Sequence, residues 1–253
     1  MSLNSGSNGN CIYVEAAGVR LLLDAGISGK RTAERLASAG RDVRDVDAVI
    51  ISHDHSDHVR CAGILSRKFG LPVYMTELTY RSAARRYDLG KFTELKHFRS
   101  GQTLDFGPVT VATHPTAHDA DDGVVFVVAA EGRRLGVLTD LGHVFPDLPG
   151  LLATLDGAYL ESNYDPHMLA AGPYPAFLKR RITGPAGHIS NAEAAELVAS
   201  AADGRLQWVA LAHMSETNNA PDLALQTHRQ IVGSGRPVHL ASRYGPGELL
   251  TIE

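Results

Sequence analysis

Positions 53–58 read His53-Asp54-His55-Ser56-Asp57-His58, and they follow directly on the run Ala48-Val49-Ile50-Ile51-Ser52. A short apolar run of this kind reads as a buried strand, so the histidines and aspartates fall on a loop at its C-terminal edge. Imidazole and carboxylate are ligands that suit zinc, manganese or iron. Alternate spacing directs His53 and His55 to one side of the loop, while the adjacent pair Asp57 and His58 points elsewhere. Two neighbouring cations need such a division. The bland alternative is a solvated histidine-rich turn.

The same pattern recurs downstream. His118 follows the strand-like residues 109–113, Asp140 ends the run Leu135-Gly136-Val137-Leu138-Thr139, and His213 ends Trp208-Val209-Ala210-Leu211-Ala212. Each is a ligand-type residue just beyond a predicted strand, where sites of open α/β sheets are built. His114 is a rival to His118.

Short apolar runs alternate with helical patterns along the whole chain. Strands are expected at 12–15 and 19–24 (a hairpin), 48–52, 73–75, 102–106, 109–113, 124–130, 133–139, 158–160, 208–211 and 249–252. Helices are expected at 29–39, 59–69 (stopping at Gly70), 77–87, 191–201 and 220–232. Residues 164–182, richer in Pro, Gly and basic side chains, read as a long loop or flap. Both halves run from strands to helices and close on a strand, which suggests two sheets face to face with helices on each outer side. No domain boundary stands out, so residues 1–253 are expected to form a single domain.

Composition excludes several classes. With 253 residues, 44% hydrophobic and 21% charged, the chain is that of an ordinary globular protein able to bury a core without staples. A formal net charge of -4 provides no global basic field, so any phosphate-binding surface is local. The two cysteines, Cys11 and Cys61, make no disulfide framework and fit small core positions in a reducing compartment. The N-terminus lacks the features of a secretory signal, and no apolar run reaches membrane-spanning length, so a cytoplasmic address away from membranes is expected.

The ligand run, the opening strand pair ending at Asp24, and the later His, Asp and His, in that order, resemble the metallo-β-lactamase superfamily over essentially the whole chain. That resemblance implies a four-layer αββα sandwich of two mixed β-sheets with helices on both outer faces. It also implies one divalent cation, Mn2+ or Zn2+, held by His53, His55 and His118, and a second held by Asp57, His58 and His213, with Asp140 bridging. His118 is preferred to His114 because His118-Asp119-Ala120 resembles the family's third motif. A narrower similarity, to the YycJ/WalJ group of nucleases, rests on the segments Ser5-Gly6-Ser7-Asn8-Gly9-Asn10-Cys11, Thr139-Asp140-Leu141-Gly142, Glu161-Ser162-Asn163-Tyr164-Asp165, Gly187-His188-Ile189-Ser190-Asn191 and His213-Met214-Ser215. It implies 5′-to-3′ exonuclease action on DNA. Tyr164 stands where that group often has His.

Two cations can lower the pKa of a shared water and clamp both oxygens of an in-line displacement. A departing sugar alkoxide also needs a proton donor. His188 is the candidate, because its loop resembles the His-Ser loop of ribonuclease Z, and Glu161 could hold its imidazole in the productive tautomer. The structural alternative for His188 is the flank of helix 191–201, with Ser190 or Asn191 as cap. Asp54 either orients an imidazole or is an exposed acid. Residues 4–10 either present backbone N–H groups to a phosphate or lead flexibly into the first strand. Ser7, Asn10 and Asn191 are assigned to substrate contact. Of the basic clusters, Lys179-Arg180-Arg181, lying between Glu161 and His188, is the candidate for a phosphate backbone; Arg67, Lys68, Arg81, Arg85 and Arg86 read as solvated. The alternatives are a small-molecule cyclic or nucleotide phosphodiesterase, a thioester or lactam hydrolase, and a non-enzymatic binding scaffold. Oligomeric state leaves no mark in the sequence.

Overall fold

The computed structural model describes residues 1–201 and 204–253. Backbone contacts divide them into two compact units. Unit 1 comprises Met1–Pro115, Ala120–Val124 and Ser242–Thr251; unit 2 comprises Thr116–Asp119, Val125–Ala241 and Ile252–Glu253.

Unit 1 contains strands β1 (Ser2–Asn4), β2 (Cys11–Ala16) and β3 (Val19–Leu23), helix α1 (Gly29–Ser38), β4 (Ala48–Ile50), helices α2 (Ser56–Val59) and α3 (Ala62–Phe69), β5 (Val73–Thr76), α4 (Glu77–Arg86), β6 (Leu95–Phe98), β7 (Thr103–Phe106) and β8 (Val109–Pro115). Its six-stranded sheet runs β1-β2-β3-β4-β5-β6. β1, β2 and β3 pair antiparallel through short connections, whereas β3 to β6 are parallel. Each parallel step contains a helix, as a crossover requires. β4 is buried throughout, which is why it reads as an unbroken apolar run. Leu22, Leu36, Val49, Ile51, Leu65 and Val73 belong to the core here, each side chain contributing about 1.5–3 kcal/mol on burial.

Unit 2 is built from β9 (Val124–Ala130), β10 (Arg133–Leu138), α5 (Leu148–Ala153), β11 (Gly157–Glu161), α6 (Pro166–Ala171), α7 (Ala176–Ile182), α8 (Asn191–Ser200), β12 (Trp208–Ala212), α9 (Pro221–Val232) and β13 (Val238–Leu240). Its strands lie in the order β13-β12-β11-β10-β9. Only the β9–β10 hairpin is antiparallel there; β10 to β13 are parallel, with helices in every connection. The fold is thus α/β, with two mixed sheets and helices. No helix among the described residues is long and apolar enough to cross a membrane.

Several sequence expectations need correction. Residues 164–182 are not a loop: they hold α6 and α7, short helices that begin after Asp165 and Pro175. Pro is well placed at a helix start, so the prolines that suggested a loop mark two N-termini. The helix expected at 59–69 is interrupted between Val59 and Ala62, giving α2 and α3. Residues 249–252 form no strand; the tail is fastened instead by Gln207, whose amide bonds the Glu253 carbonyl and amide at 2.7 and 3.0 Å. The short elements β1, β6, β13 and α5 carry too little periodicity to be read in advance.

Candidate metal centre

In unit 1 the parallel register aligns Leu23 with Ile50, so the residues following β3 and β4 emerge at the same sheet edge. Asp24, first after β3, therefore meets the ligand loop. Its carboxylate accepts from Ser52 N (2.8 Å) and Ser52 Oγ (3.0 Å), and from His58 Nδ1 at 2.7 Å. That last bond fixes the proton on Nδ1 and turns the Nε2 lone pair outward, the tautomer a metal ligand needs. Asp24 does this at φ +67°, in the left-handed region that Asp tolerates better than most residues. His53, buried beside it, has Nδ1 2.9 Å from Ser52 Oγ. The His53 ring centroid lies 4.7 Å from that of His55 and 4.1 Å from that of His58. Asp57 Oδ2 approaches His58 Nε2 to 3.4 Å. The four side chains of the motif thus gather where the β4 loop enters α2.

Gly26 explains how that loop is seated. A Cβ there would fall 1.7 Å from the Asp57 carbonyl oxygen, so only glycine permits the approach. Asp54 is fully buried, accepting from Asp121 N at 3.0 Å and Arg86 Nη1 at 2.7 Å. It pins the stretch between His53 and His55 and is not an exposed acid.

In unit 2 the second cluster is assembled by three adjacent parallel strands. Leu138 pairs with Leu160 and Glu161 with Ala212, so Asp140, Glu161 and His213 stand together at the C-terminal ends of β10, β11 and β12. His118 Nε2 and His213 Nδ1 lie 3.5 and 3.6 Å from Asp140 Oδ1. Asp140, Glu161, His188 and His213 each offer a ligand atom, all within 4.8 Å of one another. Asp140 (φ +58°) and His213 (φ +53°) are left-handed, like Asp24. Non-glycine residues in that region concentrate at functional sites.

Each imidazole here has an orienting partner. His118 Nδ1 donates to Gly187 O at 2.8 Å, and His188 Nδ1 to Glu161 Oε1 at 2.7 Å. Asn163 holds His213, bonding its carbonyl at 2.7 Å and approaching Nδ1 to 3.2 Å. Glu161 is fully buried and also accepts from Leu141 N (3.1 Å) and Ile189 N (3.3 Å). Burial by itself would raise its carboxyl; the charge of His188 and hydrogen bonds from His188 and His213 outweigh that and hold it well below the usual carboxylate range. It stays an anion.

The substrate-contact assignments fare unevenly. Asn191 is fully buried: its Oδ1 accepts from Ser162 Oγ (2.6 Å) and Asn219 Nδ2 (2.8 Å), and its Nδ2 donates to Asn219 Oδ1 (2.8 Å). It braces the β11–α8 junction. Asn10, also buried, accepts from Gly6 N (2.8 Å) while its Nδ2 lies 3.2 Å from Asp57 Oδ2 and 2.9 Å from His58 Nε2. It lies against the candidate ligand atoms of Asp57 and His58. Residues 4–10 are neither a flexible lead nor an open row of donors, because the N–H groups of Ser5, Gly6, Gly9 and Asn10 are all taken internally. Ser7 alone of the three is exposed. Lys179 reaches Ala170 O (2.6 Å) and Arg181 pairs with Asp119 Oδ2 (2.5 Å), leaving Arg180 exposed on α7. His114 lies on β8 and in none of the metal-capable groups. Ser190 caps α8 through a capping box with Glu193, and His188, two residues earlier, keeps its bond to Glu161. Tyr164 is buried, which pushes its phenol up to about 12. Cys11 and Cys61 are buried thiols, raised by that burial.

The sequence profile of the metallo-beta-lactamase superfamily matches residues 5–184. The chain belongs to the metallo-β-lactamase superfamily. Within that superfamily it is 36% identical over 227 residues to exodeoxyribonuclease WalJ of Streptococcus pneumoniae, covering 89% of this chain and 84% of the relative. It is 35% identical over 232 residues to exodeoxyribonuclease YycJ of Bacillus anthracis, covering 91% and 87%. Among solved structures, the metallo-beta-lactamase fold protein YhfI of Bacillus subtilis superimposes with a TM-score of 0.72 at 17% identity, over 96% of this chain and 95% of that one. The last is a likeness of fold.

A superfamily of this name implies divalent cations, and the donor sets fit them. Both clusters combine imidazole nitrogen with carboxylate oxygen at buried or half-buried positions. His58 and His118 each have Nδ1 engaged by an acceptor, so Nε2 is the nitrogen that would serve a cation. Asp24, Asn163 and Gly187, which do this orienting, fall in segments that carry the resemblance, but the sequence does not say which histidine each one meets.

Proposed function

We propose that the chain is a metal-dependent nuclease: a phosphodiesterase acting on DNA as a 5′-to-3′ exonuclease, with two divalent cations, manganese or zinc, per chain. His53, His55, Asp57 and His58 of unit 1 and His118, Asp140 and His213 of unit 2 would supply the ligands. Family membership and the two named exodeoxyribonucleases support the general reading. The observation that carries the choice of chemistry is the Glu161–His188 pair.

When bound, such cations polarise a phosphoryl oxygen and lower the pKa of water at neutral pH. The chain's own residues supply the rest. A deoxyribose alkoxide is a strongly basic leaving group, so its departure is assisted by a proton delivered in the transition state. His188 carries that proton on Nε2, because Nδ1 is held by Glu161. Glu161 in turn is kept anionic by His188 and His213, and two backbone N–H groups hold its carboxylate in place. Thioester and lactam hydrolysis place less demand on such a pair. Arg180, exposed on α7, and Ser7 meet the DNA backbone, and a reducing cytoplasm keeps Cys11 and Cys61 as thiols.

The test uses purified protein with end-labelled single- and double-stranded DNA and RNA, in Mn2+, Zn2+ or chelator. Stepwise release of nucleotides from the 5′ end of DNA, abolished by chelator, is the expected outcome. Turnover confined to cyclic or mononucleotide diesters would move the assignment to a small-molecule phosphodiesterase.

A further inference from the structure

Helix α7 carries an unusual face. Phe177 exposes 67% of its surface, whereas Leu178 and Ile182 of the same helix are half-buried. Phe177, Arg180 and Arg181 stand three and four residues apart, so they share one side of the helix. That side is tied to the unit 2 cluster twice over. Arg181 pairs with Asp119 Oδ2 at 2.5 Å, and Asp119 Oδ1 lies 3.5 Å from His118 Nε2. The last turn of α7 meets the His188 loop directly: His188 N donates to Ile182 O at 2.9 Å. Gly187 packs so tightly there that a Cβ would come within 2.1 Å of Ile182 O and 2.3 Å of Arg181 O.

We propose that Phe177 is a stacking platform for an unpaired base of the nucleic-acid substrate, with Arg180 beside it meeting a neighbouring phosphate. The inference rests on the nuclease reading and adds where a single strand is gripped. Every base has a π-face, so one aromatic ring serves any sequence, as an exonuclease requires, and an adjacent guanidinium matches the backbone charge. An apolar protein partner is disfavoured, because Phe177's neighbours on this face are two arginines rather than further apolar residues. The rigid tie of α7 to His118 and His188 keeps the platform in register with the reacting phosphate.

The experiment uses manganese-loaded full chain with three probes: a 5′-phosphorylated single-stranded 12-mer, its blunt duplex, and bis-p-nitrophenyl phosphate. Phe177→Ala should raise KM for the single strand roughly 10-fold with little change in kcat. The same variant should leave bis-p-nitrophenyl phosphate hydrolysis within about twofold, and Phe177→Trp should restore the single-strand KM. An unchanged KM overturns the platform, as does an equal loss on the small diester, which marks a structural effect. Phe177→Leu behaving like Trp also overturns it, since a generic apolar contact would then suffice. A wild-type enzyme that cleaves the small diester but no oligonucleotide defeats the nuclease reading itself. A wild type that cleaves DNA alongside an unaffected Phe177→Ala defeats the platform alone.

Discussion

Replacing Asp24 by Asn tests whether the carboxylate behind His58 sets metal affinity. The substitution is nearly isosteric, and Asn tolerates the +67° φ of this position, so the backbone should hold. What changes is the proton inventory. Asp24 now accepts from Ser52 N, Ser52 Oγ and His58 Nδ1. An amide oxygen can keep the Ser52 N–H, but the NH2 end then faces His58 Nδ1–H, donor against donor. The ring escapes by moving its proton to Nε2, which occupies the lone pair a cation needs. A hydrogen bond to a charged group contributes about 1.5–3 kcal/mol, or one to two decades in affinity at about 1.4 kcal/mol per decade. That agrees with the roughly 10- to 100-fold typical for partners of metal-bound histidines. Competition against a fluorescent chelator measures the loss on metal-free protein, with circular dichroism confirming the fold. In a His58→Ala background Asp24→Asn should add almost nothing, because the two act through one ring. Binding within twofold of wild type, or fully additive losses, would refute the argument.

Two further outcomes are expected. His188→Ala should slow hydrolysis of DNA far more than that of bis-p-nitrophenyl phosphate, whose leaving group needs little protonation; parallel losses would remove the proton-donor role. His228 on α9 is fully buried with no hydrogen-bond partner for either ring nitrogen among the described residues, and burial lowers its pKa from 6.5 to about 4. The unfolded chain therefore binds the extra proton between those values, so stability is complete above about 6.5 and falls as pH drops toward 4, by about 2 kcal/mol at pH 5. Urea melts at pH 7 and pH 5 should show this slope in wild type and a shallower one in His228→Leu, and identical slopes in the two proteins would sink the assignment.

How much of this was legible in the sequence varies with distance along the chain. The 53–58 run was readable because all its ligand-type residues follow one apolar strand within a few positions. Asp140 and His213 were readable because each follows a strand buried enough to leave an unbroken apolar run. The supports were not: Asp24 meets His58 across 34 positions and Gly187 O meets His118 across 69. Such pairings exist only once parallel register has aligned strand ends, and a carbonyl oxygen has no sequence signature at all. Asn10 and Asn191 were assigned to substrate from their segments alone. Both side chains are buried and bonded to neighbouring residues, and such partners are visible only in the folded chain.

Asp24, Asp140 and His213 share a position as well as a conformation. Each comes within two residues of the end of a parallel strand, and each is left-handed. A β-strand left to continue would carry its next side chains alternately to the two faces of the sheet. A single left-handed residue breaks that alternation, costing on the order of 1 kcal/mol, and lets the chain turn sharply with its side chain at the sheet edge. Three strand ends treated this way give carboxylate and imidazole groups whose positions derive from strand register rather than from mobile loops. The hydrogen bonds to Ser52, Gly187 O, Asn163 and Glu161 then fix ring orientation, a second and separate requirement. Sheet register positions the donors, and buried partners set their tautomers; a site that lost either would keep its residues and lose its chemistry.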